Sequence, residues 1–154
     1  MIHFREITEE NFDAVIKMKR PEDERFVAPN VYSLAQAWLY RDANDVDPFA
    51  IYDDDELVGF MMLDEDIEER SLVIWRVLFP EENTGKGYGT KALELIIQLA
   101  EKSGKYDYLL LDCAFDNARG KHVYEKVGFR DTGEVENGER IFRLDFPRKK
   151  KGDC

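Results

Sequence analysis

The hydrophobic and polar positions of this chain follow two periods, and the clearest signal lies between residues 72 and 104. Residues 72–79 are apolar on both faces, which is typical of a strand inside a sheet. Pro80 ends this run. From Thr90 the apolar residues recur at helical spacing up to Gly104, which suits the position after a helix. The pattern therefore predicts a buried strand, a short turn and a long amphipathic helix.

The same patterns predict strands and helices on both sides of this unit. Strands are expected at residues 2–7, 49–52, 56–63, 106–114, 130–135 and 140–146. Helices are expected at residues 9–18, 34–41 and 117–126, with N-caps at Thr8, Ser33 and either Asp116 or Asn117. Asn137 and Gly138 give a strong hairpin signal, whereas residues 19–30 and 64–70 look like polar loops. This order predicts a single α+β domain over residues 1–147 and a frayed basic tail over residues 148–154.

Composition and charge narrow the classes of function. The chain has 154 residues, of which 44% are hydrophobic and 36% charged, as in ordinary globular domains. Its net charge of −11 argues against nucleic acid and favours small cationic partners. It lacks a membrane-length apolar run, a visible secretory signal and a cysteine framework, so we expect a cytoplasmic protein without membrane contacts. His3 and His122 lack metal-ligand spacing, so no metal is expected.

Three glycines separate the buried strand from the long helix. Gly85, Gly87 and Gly89 leave backbone N–H groups bare at a helix start, where the helix dipole favours an anion such as a phosphate. The spacing does not match the dinucleotide fingerprint, because the third glycine comes one residue early, and Gly87 occupies the hydroxyl position of a P-loop. A plain strand-to-helix connection remains the alternative.

A second segment makes the pattern more specific. The glycine turn starts at Thr84, and the later segment NARGKHVYEKVGF carries Asn117, Tyr124 and Lys126 before a Gly-Phe pair. Together they resemble the GCN5-related N-acetyltransferases, and the likeness covers nearly the whole chain in element order. The resemblance implies a mixed, mostly antiparallel sheet of about seven strands, with splayed fourth and fifth strands and about four flanking helices.

The resemblance also implies a site for acetyl-coenzyme A. The glycine turn would hold its pyrophosphate, the fourth strand would pair with its pantetheine arm, and Tyr124 would protonate the departing thiolate. The alternative for Tyr124 is a half-buried helix tyrosine. The implied coenzyme-binding residues are Val77, Leu78, Phe79, Gly85, Lys86, Gly87, Tyr88, Gly89, Thr90, Asn117 and Gly120.

Two residues depart from the family pattern. Thr84 stands where the family usually has Gln or Arg, and Lys86 is a candidate to compensate. Many members carry a carboxylate on the fourth strand as the base for the amine, but residues 74–76 read Ile-Trp-Arg. The base is then a water chain ending on Glu81, Glu82 or Asp112, or the site has no dedicated base.

Residues 26–38 resemble bacterial diamine and polyamine acetyltransferases of this family, so the expected acceptor is a primary amine such as spermidine or spermine. The candidate acceptor residues are Glu24, Tyr32, Trp38 and Trp75. Aromatic rings can hold a cation by cation–π contact, but such rings more often pack a core. Two alternatives stay open: an acetyltransferase for another small amine or a protein N-terminus, and a non-catalytic acetyl-coenzyme A sensor. A homodimer is a further expectation from the family.

Overall fold

A computed structural model describes residues 1–19, 29–43 and 45–147. Within these ranges seven strands form one sheet in the order β1-β2-β3-β4-β5-β7-β6, flanked by four α-helices. The strands are β1 (Ile2–Glu6), β2 (Val46–Asp53), β3 (Glu56–Asp66), β4 (Ser71–Leu78), β5 (Tyr108–Ala114), β6 (Arg130–Glu136) and β7 (Glu139–Asp145). The helices are α1 (Phe12–Ile16), α2 (Asn30–Leu39), α3 (Tyr88–Ser103) and α4 (Ala118–Lys126). The predicted α+β class, strand count and helix count are confirmed.

The sheet lies between two helical layers, and each layer closes its own apolar core. Helices α3 and α4 cover one face, where Leu93 and Ile96 pack against Leu111 and Phe142. Helices α1 and α2 cover the other face near β2, β3 and β4, with Val15 packed among Phe60 and other side chains. We call these faces the α3 face and the α2 face. Successive strand residues point to opposite faces, and both faces carry apolar side chains that pack into the two cores. The strands are therefore apolar on both faces.

The β4 and β5 strands form a parallel pair that separates halfway along its length. Their register runs from Ser71 opposite Tyr108 to Ile74 opposite Leu111. Beyond that point β4 continues to Leu78 and β5 to Ala114 without further pairing between them. The predicted splay between the fourth and fifth strands is confirmed, and it leaves backbone groups at the opening unpaired on the side of the gap.

A β-bulge sits on β4 at the start of this opening. Met62 of β3 pairs with Arg76, while the next β3 residue pairs with Ile74, so Trp75 is the extra residue. Because directly opposed residues share a face, Trp75 and Arg76 both point to the α2 face. Val77 then returns to the α3 face, where it packs against the larger core.

The helix starts differ from the predicted ones. Helix α1 begins at Phe12 rather than at residue 9, because residues 9–11 form a turn in which Thr8 accepts backbone hydrogen bonds through its carbonyl. The side chain of Asn11 accepts from the Thr8 N–H, so the predicted Thr8 cap was wrong. Helix α2 begins at Asn30, one residue after Pro29, and Ser33 lies buried inside it instead of capping it.

The ends of several strands also differ from the predicted ones. Pro48 lies inside β2, where the neighbouring β1 strand pairs only with Phe49 to Asp53 and so needs no N–H from Pro48. Residues 64–66, predicted as loop, extend β3. The hairpin turn at Asn137 and Gly138 is as predicted, with φ angles of 51° and 79°. Of the loop predicted at residues 19–30, residues 20–28 lie outside the described residues, and so does the predicted tail at residues 148–154.

Candidate active site

A cleft of about 490 Å³ opens on the α3 face beside the splayed strands. It runs from the glycine turn, past β4, to the inner side of helix α4. Its lining residues are Val77, Phe79, Asn83, Thr84, Gly85, Gly87, Tyr88, Gly89, Thr90, Leu93, Asn117, Arg119, Gly120, Val123 and Tyr124. The turn and the later segment, about 30 residues apart in sequence, therefore face one cavity.

The glycine turn presents bare backbone at the start of α3. Gly85 and Gly87 adopt left-handed φ angles of 81° and 79°, and a Cβ on either would meet nothing within 4 Å. The first intrahelical bond runs from the Lys91 N–H to the Gly87 carbonyl, and no described side chain caps the helix. The N–H groups of the first turn therefore remain available to an anion in the cleft.

Asn117 closes the start of helix α4. Its Oδ1 atom accepts a hydrogen bond of 2.9 Å from the Gly120 N–H, which is an N-cap interaction. A Cβ on Gly120 would lie 2.6 Å from the Asn117 Nδ2 atom, so a larger residue at this position would push the capping side chain aside. The cap uses the oxygen of the amide and leaves the Nδ2 group as a donor on the wall of the cleft.

Tyr124 forms the inner end of the cleft. Its ring packs edge-on against Phe142, with centroids 6.1 Å apart. Burial, with smaller contributions from Cys113 and Glu139, raises the pKa of the Tyr124 phenol well above its ordinary value. The phenol is therefore protonated and can donate a hydrogen bond. The nearby thiol of Cys113 has its pKa raised by burial to about 11, so this region disfavours a thiolate as well.

Sequence reasoning missed two residues that shape the cleft floor. Asn83 is buried, and its Nδ2 atom donates to the Val58 carbonyl at 3.1 Å, which ties the short 3-10 helix Glu81–Asn83 to β3. Gly59 lies directly under the Phe79 ring, where a Cβ would approach to 2.6 Å. A glycine in an otherwise apolar strand was the available signal for this approach. Leu93, Arg119 and Val123 also line the cleft and were not predicted.

Two predicted coenzyme residues have no side chain in the lining. The side chain of Leu78 points to the α2 face and is buried in the core there, so only the backbone of Leu78 borders the opening. Lys86 lies exposed in the turn, outside the cleft lining. The pKa of Tyr88, which does line the cleft, is raised by burial and by Asp53.

The candidate acceptor residues are placed unequally. Trp75 is half-buried on the α2 face, with its ring 6.3 Å from that of Tyr40. Tyr32 and Trp38 on α2 are 56% and 64% exposed, and the Trp38 ring already stacks against the guanidinium of Arg41 at 3.9 Å. Trp38 does not line the cleft or the second cavity described below. Glu24 lies outside the described residues.

A second cavity of about 620 Å³ lies on the α2 face, across the sheet from the cleft. We call it the acidic groove, because Asp64, Asp112, Glu134 and Glu136 line it together with Trp75. Tyr108, Arg130 and Arg143 also line it, so the groove has a mixed but mainly acidic wall. Burial raises the pKa of both Asp64 and Asp112, and neighbouring carboxylates add smaller contributions.

Arg76 supplies a positive charge where the strands separate. Its Nη2 atom donates to the Gln36 side chain of α2 at 3.2 Å, and its Nε atom is buried without a partner among the described residues. Its charge also interacts with Glu139 and Asp112. Within the described ranges, no group of three or more His, Cys, Asp or Glu side chains is placed to hold a metal ion. None of the helices described here is both long and apolar enough to cross a membrane.

Comparisons with known proteins agree with this geometry. Residues 9–129 match the model of the acetyltransferase (GNAT) family. A "probable spermine N(1)-acetyltransferase" from Bacillus subtilis subsp. natto is 24% identical over 148 residues, which cover 91% of this chain and 95% of the relative. The match to the family model spans most of the chain.

Solved structures share the fold at low sequence identity. The aminoglycoside acetyltransferase AAC(6')-Ib with coenzyme A has a TM-score of 0.77 at 18% identity, covering 94% of this chain and 95% of its own. The spermidine N-acetyltransferase from Vibrio cholerae with coenzyme A and spermine has a TM-score of 0.73 at 15% identity, covering 92% of each chain.

The chain therefore belongs to the acetyltransferase (GNAT) family, and it is an acetyl-coenzyme A-dependent N-acetyltransferase. The resemblance read from the glycine turn and the later Asn-to-Phe segment is confirmed at the level of the family.

Proposed function

We propose that this enzyme transfers the acetyl group of acetyl-coenzyme A to a primary amine of a polyamine such as spermidine or spermine. The observation that carries the proposal is the arrangement around the splayed strands. The cleft with its glycine turn and Tyr124 lies on one face, and the acidic groove lies on the other. The probable spermine N(1)-acetyltransferase from Bacillus subtilis subsp. natto, which this chain matches over 95% of that protein's length, supports the choice of amine.

The cleft residues fit acetyl-coenzyme A in two stretches. The bare N–H groups from Gly85 to Thr90 would hold the pyrophosphate, because they combine unpaired donors with the positive end of the α3 dipole. The backbone of Val77, unpaired toward β5, and the Nδ2 group of Asn117 would hold the amide-rich pantetheine arm. When bound, acetyl-coenzyme A supplies an activated acetyl group as a thioester.

Tyr124 would act as the general acid. The amine attacks the thioester carbonyl, and a β4 backbone N–H stabilises the charge that develops on the oxygen. Tyr124 then gives its proton to the sulfur as the carbon–sulfur bond breaks. Its raised pKa would be a disadvantage against a thiol in water, but the sulfur leaves into the same buried region. Burial raises the pKa of the Cys113 thiol in this region, and we expect the same surroundings to make a departing coenzyme thiolate a better proton acceptor than it is in water.

The acidic groove would hold the rest of the polyamine. Its carboxylates lie on three strands: Asp64 on β3 stands on one side of the β4–β5 pair, and Asp112, Glu134 and Glu136 come from β5 and β6. A linear molecule with several ammonium groups can pair with carboxylates spread along this groove. The ring of Trp75 borders them, with the Arg76 guanidinium lying over it at 4.9 Å from the centroid. The net charge of −11 would also steer a polycation toward the protein.

Thiol release from acetyl-coenzyme A in the presence of a panel of amines tests the proposal. The panel contains spermidine, spermine, a simple diamine, an aminoglycoside and a peptide with a free N-terminus. We expect the highest kcat/KM with spermidine or spermine. Thiol release only with the aminoglycoside or only with the peptide would mean that this compound class, and not a polyamine, is the acceptor. Coenzyme binding without amine-dependent thiol release would point to a sensor.

Two further properties are proposals with their own tests. We propose a cytoplasmic location, because the free and buried Cys113 suits a reducing compartment, and fractionation of cells tests it. We also propose a homodimer, for which the exposed apolar residues Val31, Trp38 and Leu39 on α2 offer a contact surface. Sedimentation at several protein concentrations tests the dimer.

A further inference from the structure

The base that removes the amine proton has no candidate on β4. The side chains of Trp75 and Arg76 both point to the α2 face, where an acceptor would enter, and neither can accept a proton from an ammonium group. Glu81 and Glu82, considered from the sequence, are exposed on the short 3-10 helix after β4. Residues 20–28, which contain further carboxylates, lie outside the described residues. Among the described residues, the next candidates are carboxylates that other strands place on the α2 face.

The sheet register brings two carboxylates to the required face. Asp112 pairs with Ile141, and Ala114 at the end of β5 pairs with Glu139. Opposed residues share a face, and Ile141 and Asp112 both line the acidic groove, so Glu139 lies on the α2 face as well. Arg76 occupies that face on the other side of the opening. The splay thus has a carboxylate pair on one side and a guanidinium on the other.

Glu139 interacts with groups on both sides of the sheet. Its charge is coupled to Arg76 of β4 and to Asp112 of β5. It also acts on the Tyr124 phenol of α4 and on the Cys113 thiol of β5. On β6, its direct neighbour across the hairpin is Glu136. The register therefore places Glu139 on the α2 face beside the open end of β5, while Tyr124 lines the cleft on the α3 face.

We propose that Glu139 is the general base that deprotonates the acceptor amine, with Asp112 binding the ammonium group beside it and the positive charge of Arg76 on the same face across the opening. This rests on the proposed amine acetyltransferase function. The substrate ammonium gives one proton to the Glu139 carboxylate, and the neutral nitrogen forms a C–N bond with the carbonyl carbon. The C–S bond breaks, and Tyr124 protonates the sulfur. The second proton that the nitrogen loses restores the Tyr124 phenol, and Glu139 releases its own proton to solvent.

The electrostatic surroundings suit this role. Burial and the charge of Asp112 raise the pKa of Glu139, which makes its carboxylate a stronger base, while Arg76 keeps the ionised form accessible at neutral pH. Burial and Glu136 likewise raise the pKa of Asp112. An ammonium group placed between the two carboxylates would relieve their mutual repulsion.

The test compares Glu139→Gln and Asp112→Asn with Glu101→Gln, which removes the same charge from an exposed position on α3. We expect Glu139→Gln to lower kcat/KM for spermidine by about 10²-fold or more at neutral pH. It should also remove the acidic limb of the pH profile and leave acetyl-coenzyme A affinity unchanged. With trifluoroethylamine, a weakly basic amine that is neutral at pH 8, the loss should be much smaller. Asp112→Asn should mainly raise KM.

The outcomes separate the base from the wider function. A wild-type-like rate and pH profile in Glu139→Gln would overturn the assignment while the acetyltransferase function stands. So would an equal loss with spermidine and trifluoroethylamine, because a structural defect does not depend on the proton of the amine. If Asp112→Asn loses the acidic limb of the pH profile and Glu139→Gln keeps it, Asp112 is the base and the assignment to Glu139 is overturned. Absence of amine-dependent thiol release in the wild type would overturn both proposals.

Discussion

The ring of Tyr124 packs edge-on against the ring of Phe142, with centroids 6.1 Å apart and an interplanar angle of 62°. Phe142 is fully buried on β7 and pairs with Leu111 of β5. An element of the rigid sheet therefore fixes the orientation of a phenol carried by α4. Such a contact holds the hydroxyl at the end of the cleft without using the hydroxyl itself, which leaves that group for chemistry.

Replacement of Tyr124 by Phe tests the acid role. The ring contact with Phe142 would survive and only the hydroxyl would be lost, so we expect the protein to keep its stability and its acetyl-coenzyme A affinity. We expect kcat to fall by about 10²- to 10⁴-fold, because the departing sulfur loses its proton donor. Tyr106→Phe, away from the cleft lining, is the matched control. An unchanged kcat in Tyr124→Phe would remove the acid from the mechanism.

The glycine turn is tested by adding one carbon. Gly87→Ala and Gly104→Ala place a Cβ at φ angles of 79° and 69°, at the start and the end of α3, each in open space. Both should cost about 1–2 kcal/mol in stability, because both force an L-residue into the left-handed region. Of the two variants, only Gly87→Ala should lower the affinity for acetyl-coenzyme A, by about tenfold, because its Cβ enters the cleft beside the diphosphate. Calorimetric titration measures this, and equal affinity in the two variants would argue against the phosphate site.

Asn117 combines a structural and a binding role that substitutions can separate. Asn117→Ser keeps a good N-cap oxygen for the Gly120 N–H but removes the amide donor, whereas Asn117→Ala removes both. Thermal unfolding should show little change in stability for Asn117→Ser. For Asn117→Ala the free energy of unfolding should fall by about 1 kcal/mol. Both variants should bind acetyl-coenzyme A several-fold more weakly. If Asn117→Ser binds as tightly as the wild type, the amide group of Asn117 has no part in holding the pantetheine arm.

The acidic groove predicts a pH-dependent stability effect. Burial raises the pKa of Asp112 in the folded protein, so folding favours its protonated form. The resulting contribution to stability is present below the ordinary carboxylate pKa and is lost as the pH rises through the folded value. Asp112→Asn, which cannot ionise, should therefore melt at a higher temperature than the wild type at pH 8.

The difference in melting temperature between Asp112→Asn and the wild type should shrink toward pH 4. Glu101→Gln on the exposed face of α3 provides the control for a general change in net charge. A variant that melts below the wild type at pH 8 would mean that the attraction between the charges of Asp112 and Arg76 outweighs the burial of Asp112. The expected gain also illustrates how a functional cluster is kept at a cost in stability.

Much of the fold was predictable because the sequence signals are local. The apolar run of β4, the left-handed residues of the glycine turn and the hairpin at Asn137 and Gly138 each dictate their own backbone shape. The wrong predictions concern helix starts, where tertiary contacts determine which residue begins the helix. Ser33 has the chemistry of a cap, but the packing of α2 buries it one turn inside the helix.

The site was predictable on the side that carries the motifs and not on the other. Gly87, Asn117 and Tyr124 stand in recognisable spacing, and the structure brings them to one cleft. Glu139 had no motif, because its position depends on the pairing of β7 with β5. Trp75 and Arg76 share a face only through a bulge, which the alternation of a regular strand would not predict.

A crystal structure of the complex with coenzyme A tests the central claim most directly. We predict the diphosphate on the N–H groups between Gly85 and Thr90, the pantetheine arm in the gap between β4 and β5, and the sulfur within hydrogen-bonding distance of the Tyr124 hydroxyl. A coenzyme bound away from the glycine turn, or a sulfur out of reach of Tyr124, would contradict the account.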